Sequence, residues 1–213
     1  MGRNRVRDME IIELLELHKY LETSMIAACS AFSFPSGGKK CQQVLARMTQ
    51  RGLVNRFRVG SRSEYIYHIG KRSAKWKHWL ELNRFHFQLL SELKAWQKVL
   101  FWQHEVYYGE GIADALYAVK TTIDGDGLLF FLEVDDGGNK FDKTEKYSAY
   151  KQSMRWKAEW WGQTFPLLLI VTPRPRELSL PARKHEWVIV TGASGGYLKL
   201  LTGRDKQCQF LNN

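Results

Sequence analysis

Cysteine is scarce in this chain. Cys29, Cys41 and Cys208 have no paired spacing, which excludes a disulfide framework or a zinc site of the CxxC kind. Long apolar runs are missing as well. Nothing is long enough to span a bilayer, and MGRNRVRDMEIIELL lacks the apolar stretch of a secretory signal. A cytoplasmic protein with reduced thiols and no membrane partner is the expectation. There is no GxxxxGK[ST] loop, so no ATPase of that type is expected. No Ser/His/Asp arrangement can be argued, and internal repeats are absent. Acidic residues are few in the first part: residues 1–80 hold 15 Lys and Arg against 6 Asp and Glu, while residues 81–213 hold 17 against 16.

What is present is a globular composition. The 213 residues suffice for one large domain or two small ones, and 44% hydrophobic content supports a packed core. Of the net charge of +10, the first 80 residues carry +9 by the counts above. Such asymmetry points to a nucleic-acid-binding module joined to a near-neutral one. A basic surface that merely keeps the chain in solution is the plainer alternative.

The order of elements sharpens the choice. Residues 1–7 read as a short basic arm. A helix is expected over 8–22, with Asp8 as its N-cap and Ile11, Leu14, Leu17 and Leu21 on the apolar side. A short helix follows over 24–31, then a turn through Phe32–Gly38. A third helix is expected from about Ser36 to Arg51. Cys41, Val44, Leu45 and Met48 fall at i, i+3, i+4 and i+7, so they point inward. Lys39, Lys40, Gln43, Arg47 and Gln50 then face outward, with Lys40, Gln43 and Arg47 as the base-reading set. Gln suits adenine, Arg suits guanine and Lys neutralises phosphate. Strand-like runs Val54–Val59 and Glu64–Ile69 follow, carrying or flanked by Arg56, Arg58 and Arg62. Three helices and a hairpin form the winged helix-turn-helix order, in which the third helix enters the major groove and the wing touches backbone. A winged helix used for protein contacts is the competing reading; the basic outward face favours DNA.

Residues 74–97 have helical period, with Trp76, Trp79, Leu80, Asn83, Phe87, Leu90 and Leu93 tracing a face. Core packing is the expectation for its aromatics, with a base-stacking platform as the alternative. His78, His86 and His104 show no metal-ligand spacing. A strand is expected over 99–107, where Glu105 is a weak extra acidic candidate.

The chain is organised around Gly111–Tyr150. Two strand-like runs, Ile112–Val119 and Leu128–Val134, flank the turn-rich TTIDGDG. The second is almost wholly apolar and ends in acid, at Glu133, Asp135 and Asp136. If the two runs form a hairpin, Asp114, Glu133 and Asp135 share one small volume at a cleft. Three carboxylates there repel unless a cation or proton intervenes. After a Gly137-Gly138 break, Phe141–Gly162 reads as a helix with Tyr147, Tyr150, Met154, Ala158 and Trp161 on one face. LLLIVTP (167–173) is a buried strand expected to return parallel beside the acidic one. Arg174–Lys184 reads as a loop or short helix, WVIVTG (187–192) as a further strand, SGGY (194–197) as a turn, and the tail to Asn213 as weakly ordered.

An Asp in one strand, Glu-x-Lys in the next and then a helix is the pattern of PD-(D/E)xK nucleases. With the preceding winged helix and the EVD that ends the acidic strand, the chain resembles the replication-relaxation family of plasmids and mobile elements. Two departures stand out: Asp135 occupies the usual Lys position, and Ala113 rather than Pro precedes Asp114. The resemblance implies an α+β architecture, a winged helix-turn-helix domain over 1–72 and a restriction-endonuclease-like α/β domain over 73–213. It implies a role in replication, transfer or its control. The implied partners are double-stranded DNA and either a second copy of the chain or other replication and transfer proteins.

Two functional readings follow. In one, the chain is a DNA-binding accessory protein whose nuclease-like domain is non-catalytic and needs no cofactor. In the other, Asp114 and Glu133 hold Mg²⁺ and, with Asp135, cut DNA. Asp135 cannot supply the positive charge that cleavage uses, which favours the first, although Lys140 or Lys143 could reach back.

Overall fold

In the computed structural model, the residues described are 3–29, 37–109, 111–123, 126–135, 143–172, 188–192 and 195–202. The chain is mixed α+β and divides into two units, Met1–Arg84 and Phe85–Asn213.

In the first unit, α1 (Arg3–His18) buries Ile11 and Leu15, α2 spans Thr23–Cys29 and α3 spans Gly37–Gln50. The spacing at Cys41, Val44, Leu45 and Met48 does what it dictates: all four are buried. Gly52, at φ 71, ends the helix. Its N–H donates to the Thr49 carbonyl and the Leu53 N–H to that of Met48, the two-bond closure that a left-handed residue permits.

The first helix departs from expectation at both ends. It begins at Arg3, so residues 3–7 are helical rather than a free arm, and Asp8 lies inside the helix rather than capping it. It stops at His18 rather than at 22. Lys19 takes a left-handed φ of 66 and the chain turns into β1 (Leu21–Glu22). Strand pairing of Leu21 with Tyr67 and Glu22 with Ile66, with Tyr20 and Leu21 buried, outweighs local helix propensity. β2 (Asn55–Phe57) and β3 (Ile66–His68) form the expected hairpin, shorter than the apolar pattern suggested, in a sheet of order β1-β3-β2. The turn expected from Phe32 falls largely on residues 30–36, outside the described residues.

The helix α4 (Trp76–Glu92) is shorter than 74–97. Its buried side chains include Leu80, Leu82 and Asn83 in the first unit and Phe85, His86 and Leu89 in the second, whereas Leu90 is exposed. Asn83 is the polar centre of the first unit. Its Nδ2 donates to the carbonyls of His18 (2.7 Å) and Tyr20 (2.8 Å), and its Oδ1 accepts from His18 Nδ1 (2.8 Å).

The second unit holds a five-stranded sheet of order β4-β5-β6-β7-β8: Lys98–Tyr108, Gly111–Lys120, Gly127–Val134, Leu167–Val171 and Val188–Thr191. β4, β5 and β6 are antiparallel neighbours, and β6, β7 and β8 are parallel. The apolar run at 128–134 forms the central strand, covered on both faces as its composition requires. Parallel return from β6 to β7 demands a crossover, and α5 (Lys143–Ser153) lies in it. Tyr147 and Tyr150 of α5 are buried with Tyr108, Phe131, Trp161 and Phe165; the Tyr108 and Tyr147 rings stack at 4.0 Å.

The helix expected to run to Gly162 ends at Ser153. Met154 takes φ 58, a 3₁₀ turn follows over Arg155–Ala158, and Met154 is exposed instead of sharing the tyrosines' face. A short helix, α6 (Tyr197–Thr202), forms where only a turn and a loose tail were expected; Tyr197, Leu198 and Leu201 anchor it by burial. Gly137, Gly138, Lys140, residues 174–184, Trp187 and residues 203–213 lie outside the described residues.

Candidate nucleic-acid interface and acidic site

The first candidate lies in the first unit, between α2, α3 and the β2–β3 hairpin. A groove of about 600 Å³ is lined by Ser24 of α2, by Gly38, Gln42 and Ala46 of α3, and by Arg56, Arg58 and Arg62 of the hairpin region. Strand alternation explains the convergence. Arg56 opposes Tyr67, and Arg58 is two residues on, so both project from one face of the hairpin. Their guanidinium carbons sit 4.1 Å and 3.7 Å from the Tyr65 ring centroid. Cation–π contact holds them over that ring, and both residues are exposed. Glu64 accepts the Ser24 N–H at 2.8 Å and ties the hairpin to α2.

Lys39, Lys40, Gln43 and Gln50 are exposed on α3 as the helical period requires. Arg47 is different. Its guanidinium is ion-paired to Asp8 of α1, with side-chain exposures of 29% and 12%. The partner comes from the helix expected to begin at Asp8, so the period of α3 alone gave no sign of it. Sequence reasoning also passed over Gln42, which follows Gly38 by four residues and precedes Ala46 by four. Two small residues on that row leave room for the groove around the glutamine.

The second candidate is acidic. Ala115 pairs with Leu132 across β5 and β6, so the next positions, Asp114 and Glu133, are cross-strand neighbours. Asp114 Oδ2 accepts the Val134 N–H at 2.7 Å, and its Oδ1 lies 3.2 Å from Lys143 Nζ. The same Nζ contacts Glu133 Oε2. Glu133 Oε1 accepts the Tyr147 hydroxyl at 2.6 Å. Lys143 and Tyr147 are four residues apart, so one face of α5 supplies both donors. Asp135 is not bound into this set by any of these bonds: its Oδ2 accepts from Thr172 Oγ1 at 3.1 Å, and its N–H donates to Val171 on the opposite neighbour, β7.

The cleft expected to hold all three acids is corrected here. Glu133 is 1% exposed, Asp114 12% and Lys143 32%. Burial, reinforced by the Asp114 charge, pushes the Glu133 carboxyl up to about 8, although Lys143 and Tyr147 pull the other way. Burial works to lower the Lys143 pKa, but Glu133 and Asp114 outweigh it, and the ammonium is held above its ordinary value. Burial and the neighbouring Glu133 raise the Tyr147 hydroxyl well above its usual range.

A divalent metal does not fit the pair as it stands. Each of the four carboxylate oxygens has a protein donor. Among the described residues, no three His, Cys, Asp or Glu side chains group to hold a metal. Glu105, the weak extra candidate, is exposed on β4. His86 Nδ1 meets the Tyr117 hydroxyl at 3.1 Å, a structural contact. No described helix is long and apolar enough to cross a membrane. Comparison with family models, curated proteins and solved structures found no match.

Proposed function

We propose that the chain binds double-stranded DNA through its first unit, as an accessory protein of plasmid or mobile-element replication, transfer or its control. The observation that carries this is the convergence of Arg56, Arg58 and Arg62 with Gln42 on one groove, beside the exposed Lys39, Lys40 and Gln43. Cationic side chains spread over two elements match a phosphate backbone that passes between a helix in the major groove and a hairpin beside it. The order α1-β1-α2-α3-β2-β3, with β3 central, supports a winged helix-turn-helix assignment. The order α4-β4-β5-β6-α5-β7, three antiparallel strands then a helix and a parallel strand, supports a PD-(D/E)xK-like second unit.

One observation favours the second reading, a Mg²⁺-dependent endonuclease using Asp114 and Glu133. Lys143 brings to the acid pair the positive charge that Asp135 lacks. The engaged carboxylates weigh against it, and no catalytic step is derived through the metal.

Fluorescence anisotropy of the full chain on duplex DNA tests the main reading. The logarithm of the affinity should fall linearly with log salt, and Arg58→Ala and Arg62→Ala should each flatten the slope by about one unit. Salt-insensitive binding, or slopes unchanged by both substitutions, would refute it.

A further inference from the structure

We propose that Lys143 is the resident counter-ion of the Asp114–Glu133 pair, an intramolecular cation that stands where a divalent metal would and keeps the pair closed to one. The inference rests on the accessory reading of the second unit and deepens it.

Four features of the geometry argue for it. One Nζ reaches both carboxylates, at 3.2 Å from Asp114 and in contact with Glu133, so a single cation bridges the pair as a metal would. The remaining oxygens are committed to the Val134 N–H and the Tyr147 hydroxyl. A hard cation can bind through one or two carboxylates with waters completing its shell, but it needs carboxylate oxygens that face it, and here the ammonium takes one oxygen of each acid. Exposure then orders the three groups from inside to outside as Glu133, Asp114 and Lys143, so the lysine lies on the water side of the acids. Last, the ammonium is not a stray surface group folded inward. Its helix docks on the sheet through Tyr147 and Tyr150, whose burial fixes where the stem of Lys143 begins. A metal arriving from solvent would have to displace this ammonium and leave it without either partner.

The test is Mn²⁺ binding by the full chain, read from loss of the free-ion EPR signal and repeated with Mg²⁺ by calorimetry. Far-UV circular dichroism checks the fold of each variant. Wild-type protein should show no saturable Mn²⁺ site. Lys143→Met should gain one site per chain, with affinity raised at least about tenfold, and Lys143→Met combined with Asp114→Asn should lose it again. Lys143→Arg, which keeps the charge, should behave as wild type.

A saturable wild-type site abolished by Asp114→Asn would overturn the proposal. So would a folded Lys143→Met that binds no Mn²⁺, since the lysine would then be filling a place no metal fits. Where Lys143→Met fails to fold, Lys143→Gln, whose amide can still donate to the pair, takes its place with the same expectations. Duplex affinity measured on the same samples reports the first unit separately. A metal result against the proposal with salt-dependent DNA binding intact overturns this inference alone.

Discussion

Replacing Glu133 by Gln removes a carboxyl that the fold holds out of water, and its effect on stability should depend on pH. A rise from the ordinary 4.5 to about 8 corresponds to about 5 kcal/mol between the protonated and ionised forms, as an upper bound. The sign follows from proton counting. With its folded pKa raised, the native protein keeps a proton that the unfolded chain releases. The contribution of Glu133 is therefore most favourable below about 4.5, declines as pH rises, and levels off above about 8. Lys143, also raised, contributes stability that is present below its ordinary 10.5 and lost only as pH climbs past it, so it does not oppose this slope. His18 and His68 are lowered by burial, so their contribution grows as pH rises toward 6.5; subtraction cancels them. The stability of Glu133→Gln relative to wild type should thus increase by a few kcal/mol between about pH 5 and about pH 8.5. Urea denaturation of both proteins across that range measures the difference, and the ¹³C carboxyl shift of Glu133 titrates the group directly. A flat difference, with the carboxyl already ionised at the acid end, would refute the reasoning: Lys143 would then outweigh burial and hold a permanent carboxylate.

Two further outcomes follow from the first unit. Asn83→Ala should destabilise it by about 3 kcal/mol, because the carbonyls of His18 and Tyr20 and the His18 ring all lose a buried partner; thermal melts measure this. Arg47→Ala should cost about 1 kcal/mol of stability through loss of the Asp8 pair and weaken specific and random duplexes equally in anisotropy titrations. A loss confined to one DNA sequence would show that Arg47 reads a base despite the pairing.

Much of the architecture was legible wherever one strong local pattern acted alone. The i, i+3, i+4, i+7 spacing from Cys41 to Met48 set the buried face of α3, and the apolar run into Glu133 marked the central strand. The strands that form at Gly111–Lys120 and Leu167–Val171 were likewise readable, the second two residues shorter than its run, as was the parallel return. What escaped depended on partners distant in sequence. Nothing local to residues 18–22 says that Leu21 pairs with Tyr67 rather than continuing a helix. Nothing near Asp8 says that it meets Arg47, 39 residues on. The acids were found by their position at a strand end, but their burial was not, because it comes from α5. Lys143 was one of two candidate lysines in the sequence; only the docking of α5 brings its Nζ to Asp114 and Glu133.

The place of Asn83 bears on how the protein is made. Its amide closes the turn between α1 and β1, yet it is encoded beyond the hairpin and well inside α4. A nascent chain that has released residues 1–72 has emitted every helix and strand of the basic sheet and still lacks the group that binds the carbonyls of His18 and Tyr20. At roughly 5–20 residues per second, completion waits about a second or two more for Asn83 to clear the ribosome. The same dependence governs recombination. A gene exchange with its junction after codon 72, where the local sequence pattern changes, would separate α1, α2, α3 and the three-stranded sheet from their own buried amide, whereas a junction within α4 beyond residue 83 would keep them together.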